Sequence, residues 1–123
     1  MKGTKAAIYC RVALAGDDII ETQEIRLIDF TKKMGYTGCT CYRDNGMPGT
    51  TLDRPGINRL LADIRAGKVD TVIVHSFDRI ARGLVLLYEV MDMFEKHNVK
   101  VISLVDGTYR IPGLFEKIAK AGV

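Results

Sequence analysis

A chain of 123 residues has the size of one ordinary domain, and with 47% of them hydrophobic it can bury a real core. No apolar run is long enough to span a membrane, and the start, MKGTKAAIYC, lacks the apolar length and cleavage site of a signal peptide. The net charge of +3 permits an anionic partner without demanding one, so the placement of the arginines matters more than their sum.

Residues 5–12, KAAIYCRV, read as a buried strand that carries one arginine, Arg11, near its end. Residues 18–34 have helical spacing, with Ile19, Ile20, Leu27, Phe30 and Met34 making a broad apolar face, and Gly35 stands where a C-cap belongs. YTGCTCYR, residues 36–43, reads as a second, more polar strand. DNGMPGTTLD, residues 44–53, reads as a loop. Asp53 then looks like an N-cap with Pro55 in the first turn, opening an amphipathic helix over residues 56–66 that Gly67 closes. VDTVIVHS, residues 69–76, is a near-continuous apolar run of the kind used by parallel sheets. Residues 77–98 read as helical with a break near Gly83, and residues 98–105 as a fourth strand. Pro112 and Gly113 interrupt the remainder, where LFEKIAKA reads as a short helix. This alternation predicts an α/β domain: a mainly parallel four- to five-stranded sheet with helices on both faces.

The three cysteines, Cys10, Cys39 and Cys41, form no C-x-x-C and no cluster at metal-ligand spacing, so they read as reduced thiols of a cytoplasmic protein. In open α/β sheets ligands gather beyond the carboxyl ends of the strands. There the predicted elements bring Arg11, Arg54, Arg79 and Arg82 toward one edge. Arg79 and Arg82 are three apart, on one face if the segment is helical, and Asp78 is placed to pair with a neighbouring guanidinium. Four guanidiniums around one cleft suit an oxyanion, most simply phosphate, which they grip with forked donors. Arg11, buried on an apolar strand, requires a counterion, a role that a ligand phosphate fills. No G-x-G-x-x-G follows the first strand, no Walker A motif exists, and a receiver-type domain would place acids where Arg11 stands. His75 qualifies chemically as a general base but reads more simply as a structural strand-end histidine. His97, near a helix end, is explained by the helix dipole.

Y-C-R-V at residues 9–12, Gln23, Y-R-D-N-G-M-P-G at 42–49, L-D-R-P at 52–55, L-L-A-D-I-R-A-G-K-V-D at 60–70 and F-D-R-I-A-R at 77–82 together resemble the catalytic domain of serine recombinases, the resolvase/invertase family. The R-P and K-V-D segments look more like its large-recombinase or transposon-integrase branch. The resemblance covers about residues 5–106 and lies in the ordered set, since no single motif suffices. It implies a phosphoryl-transfer enzyme acting on double-stranded DNA: a serine hydroxyl attacks the scissile phosphate, forms a 5′-phosphoserine link and releases a 3′-hydroxyl. Strand exchange and religation follow without metal or nucleotide cofactor, because the bond energy is kept in the protein–DNA link. Carried over by position, Arg11, Arg79 and Arg82 would surround the phosphate and neutralise transition-state charge. Arg54 would bind or orient it, Gln23 would position it by hydrogen bonding, and Asp78 would hold the arginines in place and share in proton transfer. The resemblance also implies a homodimer or tetramer of the full-length protein, a cytoplasmic location and no membrane partner.

Two departures stand out. The family motif is Y-x-R-V-S, and the nucleophilic serine is here Ala13, whose methyl group forms no phosphoester. Cys10 is no substitute, lying three residues earlier and on the opposite face of the strand from its neighbour Arg11. Met47 and Pro48 replace the small residue and serine of D-x-G-x-S-G. The family continues into a long dimerisation helix and a DNA-binding domain, so residues 1–123 are expected to be a single resolvase-type catalytic domain without those parts. A non-catalytic relative acting by DNA binding or subunit pairing, and an unrelated phosphate-binding α/β module, are the alternative readings.

Overall fold

The computed structural model describes residues 5–109. Its elements are β1 (Ala6–Val12), α1 (Asp17–Lys33), β2 (Thr40–Asn45), α2 (Pro55–Arg65), β3 (Thr71–Val74), a 3₁₀ turn (Phe77–Arg79), α3 (Leu84–Lys96), β4 (Lys100–Ser103) and β5 (Gly107–Tyr109). The sheet order is β2-β1-β3-β4-β5, parallel throughout except for β5, which runs antiparallel to β4. The expected α/β architecture is present. The expected helix over LFEKIAKA lies outside the described residues.

The seven residues of β1 are all buried, and their alternation divides the core in two. Ala6, Ile8, Cys10 and Val12 face α1, meeting Ile20 and Leu27. Ala7 and Tyr9 face the other side, where α2 and α3 bring Ile57, Leu60, Met91 and Phe94. Helices thus cover both faces, as a sheet of apolar parallel strands requires. Asp17 and Asp18 in the first turn of α1 and Lys32 and Lys33 in its last turn complement the helix dipole. α1 and α2 both end in Schellman motifs, with Gly35 and Gly67 in the left-handed conformation. No helix among the described residues is long and apolar enough to cross a membrane.

Three local expectations are corrected. β2 starts at Thr40 and takes in Asp44 and Asn45, because the amide of Tyr36 is spent on the Thr31 carbonyl in closing α1. The cap position of α2 is Arg54, not Asp53, and its side chain makes no capping bond. The carboxylate of Asp44 caps α2 from across the fold: Oδ1 accepts from the Gly56 amide at 2.7 Å and Oδ2 from Ile57 at 2.9 Å. The expected break near Gly83 is present, but the residues before it are helical only as the 3₁₀ turn Phe77–Arg79. Ile80 and Ala81 are pinned in the core, and the Arg82 amide donates to the Gly49 carbonyl at 2.8 Å rather than to a helical partner, so α3 begins only at Leu84.

The start of α2 lies so close to β2 that a Cβ on Gly56 would sit 2.3 Å from the Arg43 carbonyl oxygen. Gly56→Ala is therefore expected to cost about 2–3 kcal/mol through backbone displacement, read as a lowered midpoint in urea denaturation.

Candidate active site

β1 is flanked by β2 on one side and β3 on the other. The connections leaving β1 and β3 therefore diverge, and a crevice opens at their carboxyl ends, the switch point where ligands bind in such sheets. Arg11 lies at this edge. Its guanidinium is clamped between two loops: Nε donates to the Arg79 carbonyl at 3.0 Å, Nη1 to Met47 at 3.0 Å and Nη2 to Asp78 at 2.9 Å. The residue is only 2% exposed. Carbonyl dipoles thus fill the role expected of a counterion, and one N–H on each Nη is left over. Burial, with Arg54 and Arg79 adding like charge, pulls its pKa below the ordinary guanidinium value.

Beyond Ile8, β1 has no pairing with β3. Side chains replace the missing strand. Gln23 Oε1 accepts from the Arg11 amide at 3.3 Å, Gln23 Nε2 donates to the Arg11 carbonyl at 3.5 Å, and Arg79 Nη1 donates to the same carbonyl at 3.3 Å. Arg79 is half-buried, and its Nε is buried without a partner among the described residues. Arg82 is exposed, and its guanidinium makes no hydrogen bond or ion pair with a described residue. The two arginines come to the same edge from a 3₁₀ turn and the bend after it, not from one helical face.

Arg54 is fully buried, an arrangement that suits the orienting half of its expected role rather than direct binding. Nη1 donates to the Tyr9 hydroxyl at 2.9 Å and to the Arg79 carbonyl at 3.4 Å, and Nη2 donates to the Ile80 carbonyl. The Tyr9 hydroxyl in turn donates to Asp44 Oδ2 at 2.5 Å. Burial and this bond to Asp44 raise the Tyr9 pKa, which keeps the hydroxyl protonated. Arg54 thus orients the turn that carries Arg79. Asp78 departs from its expectation: its exposed carboxylate accepts from the Ser76 hydroxyl, and its main-chain carbonyl, not its side chain, holds Arg11. Tyr9 and Asp44 are the residues that sequence reasoning missed. A tyrosine two positions before Arg11 on an aliphatic strand was the available signal.

Ala13 is exposed, one residue past β1. The loop around it is braced at both ends. The Val12 carbonyl accepts from the Gly46 and Met47 amides at 2.9 and 3.0 Å, and Asn45 accepts from the Gly16 amide at 3.0 Å while donating to Asp17 at 2.9 Å. Cys10 is fully buried on the α1 face, and burial pushes its thiol up to about 12, which denies it a nucleophilic role. Gly49 lies against the arginines so closely that a Cβ there would come within 2.6 Å of Arg82 Cγ and 2.8 Å of Arg11 Nη2. The edge thus gathers the buried Arg11, the half-buried Arg79 and the exposed Arg82 at the end of the strand that Ala13 follows.

Residues 6–119 match the family model described as Resolvase, N terminal domain. A protein of Bacillus subtilis (strain 168) named "Putative DNA recombinase" is 34% identical over 108 residues, which is 84% of this chain and 21% of that protein. The serine recombinase gin of Escherichia phage Mu is 30% identical over 69 residues, 56% of this chain and 35% of its own. The chain thus spans only a fifth to a third of these relatives. The crystal structure of the N-terminal catalytic domain of TP901-1 integrase matches with a TM-score of 0.81 and 34% identity, over 94% of this chain and 91% of that one. A resolvase family site-specific recombinase from Streptococcus pneumoniae shares the fold, with a TM-score of 0.78 at 24% identity over 98% and 88% of the two chains.

Tyr9→Phe deletes the hydroxyl that joins Arg54 to Asp44 and leaves both short of a partner in the core. It is expected to destabilise the fold by roughly 1–3 kcal/mol, measured by urea denaturation. A loss under about 0.5 kcal/mol, below the usual worth of even one hydrogen bond, would show that the hydroxyl bridges nothing of consequence.

Proposed function

Because this chain belongs to the resolvase family of serine recombinases, we propose that it is the phosphodiester-binding catalytic domain of a site-specific DNA recombinase whose nucleophile position is occupied by Ala13. The observation that carries this reading is the convergence of Arg11, Arg79 and Arg82 on the switch-point edge, next to the exposed residue 13. Arg79 and Arg82 take the non-bridging oxygens of a backbone phosphate. Arg11 adds charge from behind with its remaining N–H groups. Gln23 and Arg54 are positioning residues: Gln23 fixes the end of β1, and Arg54 fixes the turn of Arg79.

Such an edge stabilises the charge that builds on a phosphate as a hydroxyl adds to it, because its donors are held in place before the substrate arrives. The hydroxyl itself is missing. A serine at position 13 would become esterified to the 5′-phosphate and release the 3′-oxygen. Alanine has no atom to form that bond, so the chain binds DNA without cutting it. The proposed partner is double-stranded DNA, and the proposed working assembly is a dimer or tetramer of a longer protein.

Placed in the longer protein with its DNA-binding part, Ala13→Ser is expected to yield a covalent protein–DNA adduct on a cognate site, visible as a shifted band on a denaturing gel, where the Ala13 protein yields none. Adding Arg79→Ala should slow adduct formation by at least about a hundredfold, the usual worth of one transition-state donor. If Ala13→Ser forms no adduct while still binding DNA in a salt-dependent way, the assignment moves to a non-catalytic DNA-binding relative. If neither protein binds DNA, the phosphodiester reading is wrong.

A further inference from the structure

A cleft of about 360 Å³ opens between α1 and the chain leaving β3, with Arg79 and Gln23 at its border with the site above. One wall is helical. Asp18, Thr22 and Arg26 follow at four-residue spacing and so form a single row along α1, with Ile19 and Gln23 in the row beside it. The facing wall holds His75 and Arg79. From Asp18 to Arg26 the helix rises about 12 Å, which matches the rise of about three nucleotides along one DNA strand.

Several groups here are without partners. Arg26 is exposed and makes no hydrogen bond or ion pair with a described residue. His75 Nδ1 and Arg79 Nε are buried and unpartnered among the described residues, a condition that native structures rarely leave unexplained. Ile19 is 63% exposed on the helical wall, beside Asp18. Asp18 supplies a carboxylate at one end of the row, and Arg26 a cation at the other. A polyanion laid in this cleft is repelled from the Asp18 end and drawn to the Arg26 end.

We propose that the cleft seats the length of DNA strand adjoining the phosphate held at Arg79, with Arg26 on a neighbouring phosphate. This subsite rests on the phosphodiester reading and extends it from one phosphate to a directed run of backbone. His75 closes the inner wall. The contacts are to phosphate and sugar, so they set the register of the strand in the site without reading its sequence.

The test is a titration of the isotopically labelled chain with short duplex DNA at low salt, followed by amide shifts, together with salt-dependent affinities of Arg26→Ala and Arg26→Lys. Shifts at Thr22, Arg26 and His75 are expected in addition to those around Arg79 and Arg82. Arg26→Ala should flatten the slope of log affinity against log salt by about 1, equally for duplexes of unrelated sequence, while Arg26→Lys keeps the slope. If the shifts stay with Arg79 and Arg82 and Arg26→Ala leaves the slope unchanged, the cleft is no subsite although the phosphate reading stands. If neither edge responds to DNA, both fall together.

Discussion

The fold of this site depends on one buried link, the chain of hydrogen bonds from Arg54 through the Tyr9 hydroxyl to Asp44. Two opposite charges are taken out of water and joined by a neutral phenol rather than in direct contact. Each charge has a second task. Asp44 accepts from the amides that open α2, and Arg54 donates to the carbonyls of Arg79 and Ile80. A single network therefore ties the central strand, the strand beside it, a helix start and the turn that carries Arg79. Uncompensating either ion would leave the other stranded in the core, a change that costs several kcal/mol in comparable buried pairs. Stability and site geometry are the same set of bonds here.

The same scaffold holds the charged edge in shape. Three guanidiniums close together repel one another, and in water their mutual repulsion would spread them apart. Here Arg11 is fixed by three carbonyls and Arg79 by the end of β1, so the repulsion is borne by the scaffold. None of these fixing contacts involves residue 13. The cationic edge thus keeps its shape whether a hydroxyl or a methyl stands at that position.

Much of this was legible from the sequence, for reasons that are local. A continuous apolar run interrupted by Arg11 marks a strand whose end meets something polar, and the helical spacing of Ile20 and Leu27 marks α1. The gathering of arginines followed from alternating elements and the rule that ligands lie beyond strand ends. What was not legible depends on partners distant in the chain. Tyr9 and Asp44 are 35 residues apart, and Tyr9 and Arg54 are 45 apart, so no local pattern announces their bonds. The same holds for the cap of α2: Asp53 has the right residue type in the right place, but the carboxylate of Asp44 is already there. The helical pattern of residues 77–83 lost to tertiary contacts, since Ile80 and Ala81 are drawn inward and the Arg82 amide is taken by Gly49.

The loop after β2 meets the arginines through its main chain. Arg11 binds the carbonyl of Met47, the Arg82 amide binds the carbonyl of Gly49, and the side chains of positions 47 and 48 take no part in either bond. Gly49, by contrast, is held to glycine by crowding. The Met47-Pro48 pair thus leaves the grip on Arg11 and Arg82 to peptide carbonyls alone, with the rigid ring of Pro48 helping to aim them.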